Sequence, residues 1–130
     1  MGQQQLLLII LGVIVVGIAV AVGITMFQDN AVSANRDAVT NDLVNLASRA
    51  QQYYRRPTAL GGGGNQFTGV TLAKLTSKGS NANGTYTCGT PTTSSVVLTG
   101  IGVEKGNDNS AKINMTMTVF ADSTYVTVVN

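Results

Sequence analysis

The chain has no histidine, no tryptophan, one cysteine, two prolines and a single glutamate, Glu104, among its 130 residues. Each scarcity removes a class of chemistry. Without histidine there is no Ser-His-Asp or Cys-His nucleophile system and no imidazole metal ligand. Cys88 alone builds neither an intramolecular disulfide nor a cysteine-based metal site, and it reads as a small half-buried strand residue rather than a reactive thiol. Asp108 and Asp122 lie in the turn-like stretches "EKGNDNS" and "ADS", where Asp commonly supports its own backbone. The "NDN" loop lacks the further carboxylates of a calcium cage. With so few acid–base groups, the expectation is that the chain is not an enzyme and carries no cofactor or metal. Charged residues make up 11% and the net charge is +2, with no cationic run beyond Arg55-Arg56. Tracking the phosphates of a nucleic acid takes a denser stripe, so no nucleic-acid partner is expected.

What the chain has in abundance is one apolar run. Leu6 to Phe27, "LLLIILGVIVVGIAVAVGITMF", holds no charge, and Thr25 is its only hydroxyl. At about 1.5 Å per residue it spans roughly 33 Å as a helix, which matches the roughly 30 Å hydrocarbon core of a bilayer. A buried helix of a small soluble domain is rarely apolar on every face for so long. A secretory signal has a basic region before a shorter apolar run; here no Lys or Arg precedes Leu6, although Ala19-Val20-Ala21 has the small-x-small form of a cleavage site. Met1-Gly2 opens like a myristoylation site, but Leu6 stands where Ser or Thr is expected. A membrane-spanning or polymerising helix remains.

From Asp29 to Arg56 there is no Pro or Gly, and apolar residues recur at Val32, Val39, Leu43, Leu46, Ala50 and Tyr53. That spacing forms one helical stripe, with Arg36, Asp37, Thr40, Asn41, Ser48, Gln51, Gln52 and Arg55 opposite. One helix of roughly 80 Å is predicted, apolar all round in its first half and amphipathic in its second. Pro57 ends it, and Arg55-Arg56 suit the negative end of its dipole. "TALGGGGNQ" follows. It lacks the Lys and Ser/Thr of a phosphate-binding loop, so it reads as a tight connection or as a place where backbone passes close to a neighbouring subunit.

The remainder reads as antiparallel β, with strands expected at Phe67–Leu75, Thr85–Cys88, Ser95–Glu104, Lys112–Phe120 and Thr124–Val129. Asn83-Gly84 is a strong hairpin signal. In "KINMTMTVF", Ile113, Met115, Met117 and Val119 alternate with Asn114, Thr116 and Thr118, which implies a sheet covered on one face. The expected fold class is α+β. An apolar helix half (1–28) runs into an amphipathic half (29–57), which packs through the stripe against a small antiparallel domain (58–130).

An apolar N-terminal helix without a preceding basic region, continuing into an amphipathic helix and a small β domain, resembles type IV pilins and pseudopilins. The resemblance implies a structural subunit of an extracellular helical filament, a pilus or fimbrium involved in cell adhesion. It would be a homopolymer, embedded in the membrane before assembly and handled by a prepilin peptidase and pilus assembly machinery. It further implies that Met1 is the N-methylated first residue of the mature chain, or else that Met1-Gly2 is a minimal leader. The family's usual Glu at the fifth position is replaced by Gln5, and its Pro near position 22 by Val22. Burying an unpaired charge is costly, whereas amides need only hydrogen bonds. Gln3, Gln4 and Gln5 therefore read as a neutral substitute for a carboxylate–amine pair.

Gly17 and Ala21, and Ala19 and Gly23, are small residues four apart that let apolar helices approach closely, and Gly12, Gly17 and Gly23 carry a helix-propensity cost that close packing repays. A monomeric single-pass anchor displaying a β binding module, or a minor pseudopilin of a secretion machine, stays open as the alternative. Asn83-Gly84-Thr85 and Asn114-Met115-Thr116 match the N-glycosylation acceptor pattern.

Overall fold

The computed structural model describes residues 2–130. Met1, expected as the N-methylated residue, lies outside the described residues. The chain is α+β: one long helix, α1 (Gly2–Arg55), lies against a four-stranded antiparallel sheet. The strands β1 (Gly84–Cys88), β2 (Ser95–Lys105), β3 (Lys112–Phe120) and β4 (Thr124–Val128) pair in sequence order as a meander.

Helix α1 ends just before Pro57, and the glycine run completes that end. The N–H groups of Gly63, Gly64 and Asn65 donate to the carbonyls of Tyr53, Arg56 and Tyr54 at 2.8, 2.9 and 2.7 Å. These are carbonyls that a helix terminus would otherwise leave unpaired. A Cβ at Gly62 would collide with the Arg56 backbone, and one at Gly63 with the Gln66 carbonyl. The four glycines are thus a cap folded back on the helix end, through Gly61 and Gly64 at positive φ.

The first expected strand, Phe67–Leu75, is not a strand. Its apolar residues are spaced at Phe67, Val70, Leu72 and Leu75 rather than in alternation, and Gly69 takes φ +84°. Phe67 and Val70 instead tuck into the core from an irregular segment, Phe67 lying 4.8 Å from Tyr54 between ring centroids. A single turn, α2 (Leu72–Leu75), follows and buries Leu75. The Asn83-Gly84 turn is present, but only the Ser80–Thr85 bridge faces β1 across it. Asn81 Oδ1 accepts the N–H groups of Asn83 and Gly84 and fixes the turn.

The core lies between α1 and the inner face of β2 and β3. Val39, Leu43, Leu46, Ala50 and Tyr53 are buried and Val32 is half-buried. They meet Val96, Leu98, Ile113, Met115, Met117 and Val119. Residue 47 joins them as Ala47, one turn after Leu43. Strand β4 extends past the helix, so its inward Val126 and Val128 stay exposed.

Candidate polymerisation surface

Helix α1 has two fates along its length. From Val32 onward it is held by the sheet. Before that, its large apolar side chains from Leu6 to Phe27 are each between 52% and 74% exposed. The helix is long and apolar enough to cross a membrane, and the apolar window is uncovered. Thr25, its one hydroxyl, donates back to the Ala21 carbonyl at 3.1 Å and so is satisfied within the helix itself. A helix that pairs every polar group internally suits surroundings without water.

The small residues are arranged on two sides. At about 100° per residue, Gly12, Ala19 and Gly23 fall within about 40° of one another, while Gly17 and Ala21 lie about 120–180° away. No atom of another element comes within 4 Å of a Cβ placed at Gly12, Gly17 or Gly23. Gln3, Gln4 and Gln5 are exposed and spread their amides around the first turn.

The junction between the free and covered halves is built by residues that periodicity alone did not single out. Asn35 is buried, and it fills the seven-residue gap between Val32 and Val39 in the stripe. Its Oδ1 accepts the N–H groups of Val103 and Glu104 at 3.0 and 3.2 Å, and its Nδ2 donates to the Asn83 carbonyl at 2.8 Å. Val103 and Glu104 sit where the β2–β3 register shifts, so the helix side chain supplies an acceptor that the ladder does not. Gly102, paired with Gly84, lets Asn35 in: a Cβ there would collide with Asn35 Oδ1. Arg36 adds a bond from Nη2 to Asn107 Oδ1 at 2.7 Å.

Seven residues further along α1, Asp42 pins the β1 edge of the sheet. Its Oδ2 accepts from Asn81 Nδ2 at 2.9 Å, Asn83 Nδ2 at 3.0 Å and the Tyr86 hydroxyl. Partial burial works to raise the Asp42 pKa, but the three hydrogen bonds, that of Tyr86 foremost, outweigh it and hold the carboxyl below its ordinary value. The Tyr86 hydroxyl is pushed far up, first by burial and then by its bond to the neighbouring carboxylate. A polar residue on an otherwise apolar stripe, as at Asn35, is the sequence signal for such a tie. For Asp42 no local signal exists, since its partners lie about forty residues away.

The two glycosylation motifs are placed differently. The Asn83 amide is committed to Asp42, and Asn114 is half-buried on β3 with its Oδ1 enclosed and unpartnered. Cys88 is half-buried at the end of β1, where burial pushes its thiol pKa up. Asp108 supports its turn: its Oδ1 accepts from Ser110 N, Ala111 N and Asn130 Nδ2 at 2.9, 3.0 and 3.0 Å. No protein-family model, curated protein or solved structure matches this chain.

Proposed function

We propose that the chain is a structural subunit of an extracellular helical filament. It waits in a membrane through its apolar helix half and polymerises when those helices bundle into a core. One observation carries this reading: the apolar half of α1 stands uncovered, with small residues on two opposite sides. A simple pair of helices needs one close-packing face, whereas a helix inside a bundle needs at least two. Each apolar side chain moved from water into such a bundle contributes about 1.5–3 kcal/mol, so the assembled state should be very persistent in water. The contact is heterologous, and repeated without closure it generates an open helical array. The resemblance to type IV pilins and pseudopilins supports the same reading and implies the peptidase and assembly machinery as partners.

Removing detergent from the purified chain tests this. Thin fibres of uniform diameter are expected by negative-stain microscopy, and Gly17→Leu with Gly23→Leu should shorten or abolish them. A small monodisperse particle with its N-terminal helix intact would instead favour the single-pass anchor.

A further inference from the structure

The outward face of the sheet carries an ordered row. Thr87 on β1 pairs with Thr99 on β2, Thr99 with Thr116 on β3, and Thr116 with Thr127 on β4. Partners directly opposite in antiparallel strands point to the same face. Four threonines therefore cross the whole sheet in line, about 4.8 Å from strand to strand. They alternate with the buried Tyr86, Leu98, Met115 and Met117, so they face away from α1. Among the described residues, the threonine hydroxyls bonded within the chain are those of Thr25, Thr40, Thr76 and Thr92. Those of the row have no partner among the described residues.

In the next row, Val97, Thr118 and Tyr125 lie in register, and Tyr125 is 63% exposed. Its ring is held edge-on by Phe120 at 5.7 Å and 81°. From Gly84 to Cys88, Ser95 to Ile101, Asn114 to Phe120 and Thr124 to Val128 there is no charged residue.

We propose that this face binds neutral polysaccharide. A sugar polymer presents hydroxyls that both donate and accept, as the threonine hydroxyls do, and C–H faces that pack on a tyrosine ring and on methyl groups. The β-branched threonines are stiff at χ1, so little rotamer freedom is lost on binding. The absence of charge offers nothing to a polyanion. The raised Tyr125 ring keeps a second identical face from closing flat against this one. The site lies on the sheet face opposite the helix, so its own α1 does not cover it.

The test uses the full chain and a neutral β-linked glucan, with a carboxylated form of the same glucan as control, in co-sedimentation. Thr99→Val with Thr116→Val removes two hydroxyls while keeping shape and strand preference. The expected result is retention on the neutral glucan, unchanged by about 1 M salt because no charge pair is involved. The double variant should bind about tenfold more weakly, the worth of two modest hydrogen bonds, and Tyr125→Ala should also bind more weakly. The unfolding midpoint of each variant, and fibre formation by negative stain, should stay as in the wild type. No retention of the wild type, equal retention of the double variant, or retention on the carboxylated form alone would overturn the proposal. So would lateral bundling of fibres without glucan that the double variant abolishes, since it would assign the face to a second copy. Fibre formation reads the polymerisation separately, so either conclusion can fail without the other.

Discussion

Asn35 Oδ1 accepts the backbone N–H of Val103 at 3.0 Å, tying the helix to the sheet where β2 departs from its ladder with β3. The same amide serves Glu104 and the Asn83 carbonyl. Asn35→Ala strands two donors and an acceptor, and partly buried groups of this kind cost about 1–3 kcal/mol when left unmade. A loss of about 2 kcal/mol is expected by denaturant unfolding of the full chain in a neutral detergent. A loss under half a kcal/mol would mean that water replaces the amide without cost.

The Gly102 contact predicts a comparable loss for a smaller change. Adding one methyl at Gly102→Ala drives it into Asn35 Oδ1 and against Ile113. Overpacking of this kind costs about 1–3 kcal/mol. Combined with Asn35→Ala, part of that cost should be recovered, because the oxygen it strikes is gone. Strict additivity in a double-mutant cycle would show that the clash lies elsewhere.

Leu43 is fully buried between α1 and the sheet, and its neighbour Val44 is 46% exposed. Leu43→Ala should cost about 2–5 kcal/mol, and Val44→Ala less than about 1 kcal/mol. Equal effects would show that the buried side of the helix is not the one described.

The helix and most of the sheet were legible in the residues for a simple reason. Burial on one side imposes a period, which β3 carries unbroken and the second half of α1 carries from Val39 to Tyr53. Phe67–Leu75 was misread because its apolar residues answer to scattered core positions rather than to a strand face, with Gly69 reversing the backbone between them. The partners of Asn35, Asp42 and Tyr86 were not legible. A polar residue on the apolar stripe marks Asn35 as a tie, but each bond joins residues far apart in the chain, and local spacing does not name the partner. The four-threonine row needed register, which turn lengths alone do not supply.

Asp42 and Tyr86 bound the stability of the domain at both ends of the pH scale. The folded Asp42 pKa lies below its ordinary 3.8, so its contribution is present above that value and is lost as pH falls through the lowered one. The folded Tyr86 pKa lies above its ordinary 10.0. Its contribution is complete below pH 10 and is lost as pH rises through the raised value. The unfolding midpoint should therefore show a plateau between about pH 4 and 10, falling on both sides. Asp42→Asn should lower the plateau and flatten its acid side. An acid fall unchanged in that variant would place the sensitive group elsewhere.

The apolar half of α1 should ignore this titration. No ionisable side chain lies from Gly2 to Gln28, and the first turn carries only the neutral amides of Gln3, Gln4 and Gln5. Surface charges on the sheet domain add little individually to holding subunits together. As pH falls through the lowered Asp42 value, fibres should keep their length while the outer domains lose the Asp42 tie and become open to protease. Core and surface would then respond to acid separately, and fibre length should also be unchanged in molar salt. Gln5→Glu should couple them: it introduces a carboxylate that either pairs with a neighbouring amine, making the fibre acid-sensitive, or stays unpaired and blocks assembly. Wild-type fibres that shorten on mild acidification, in step with loss of protease resistance, would move the decisive contacts from the apolar helices to the surface domains.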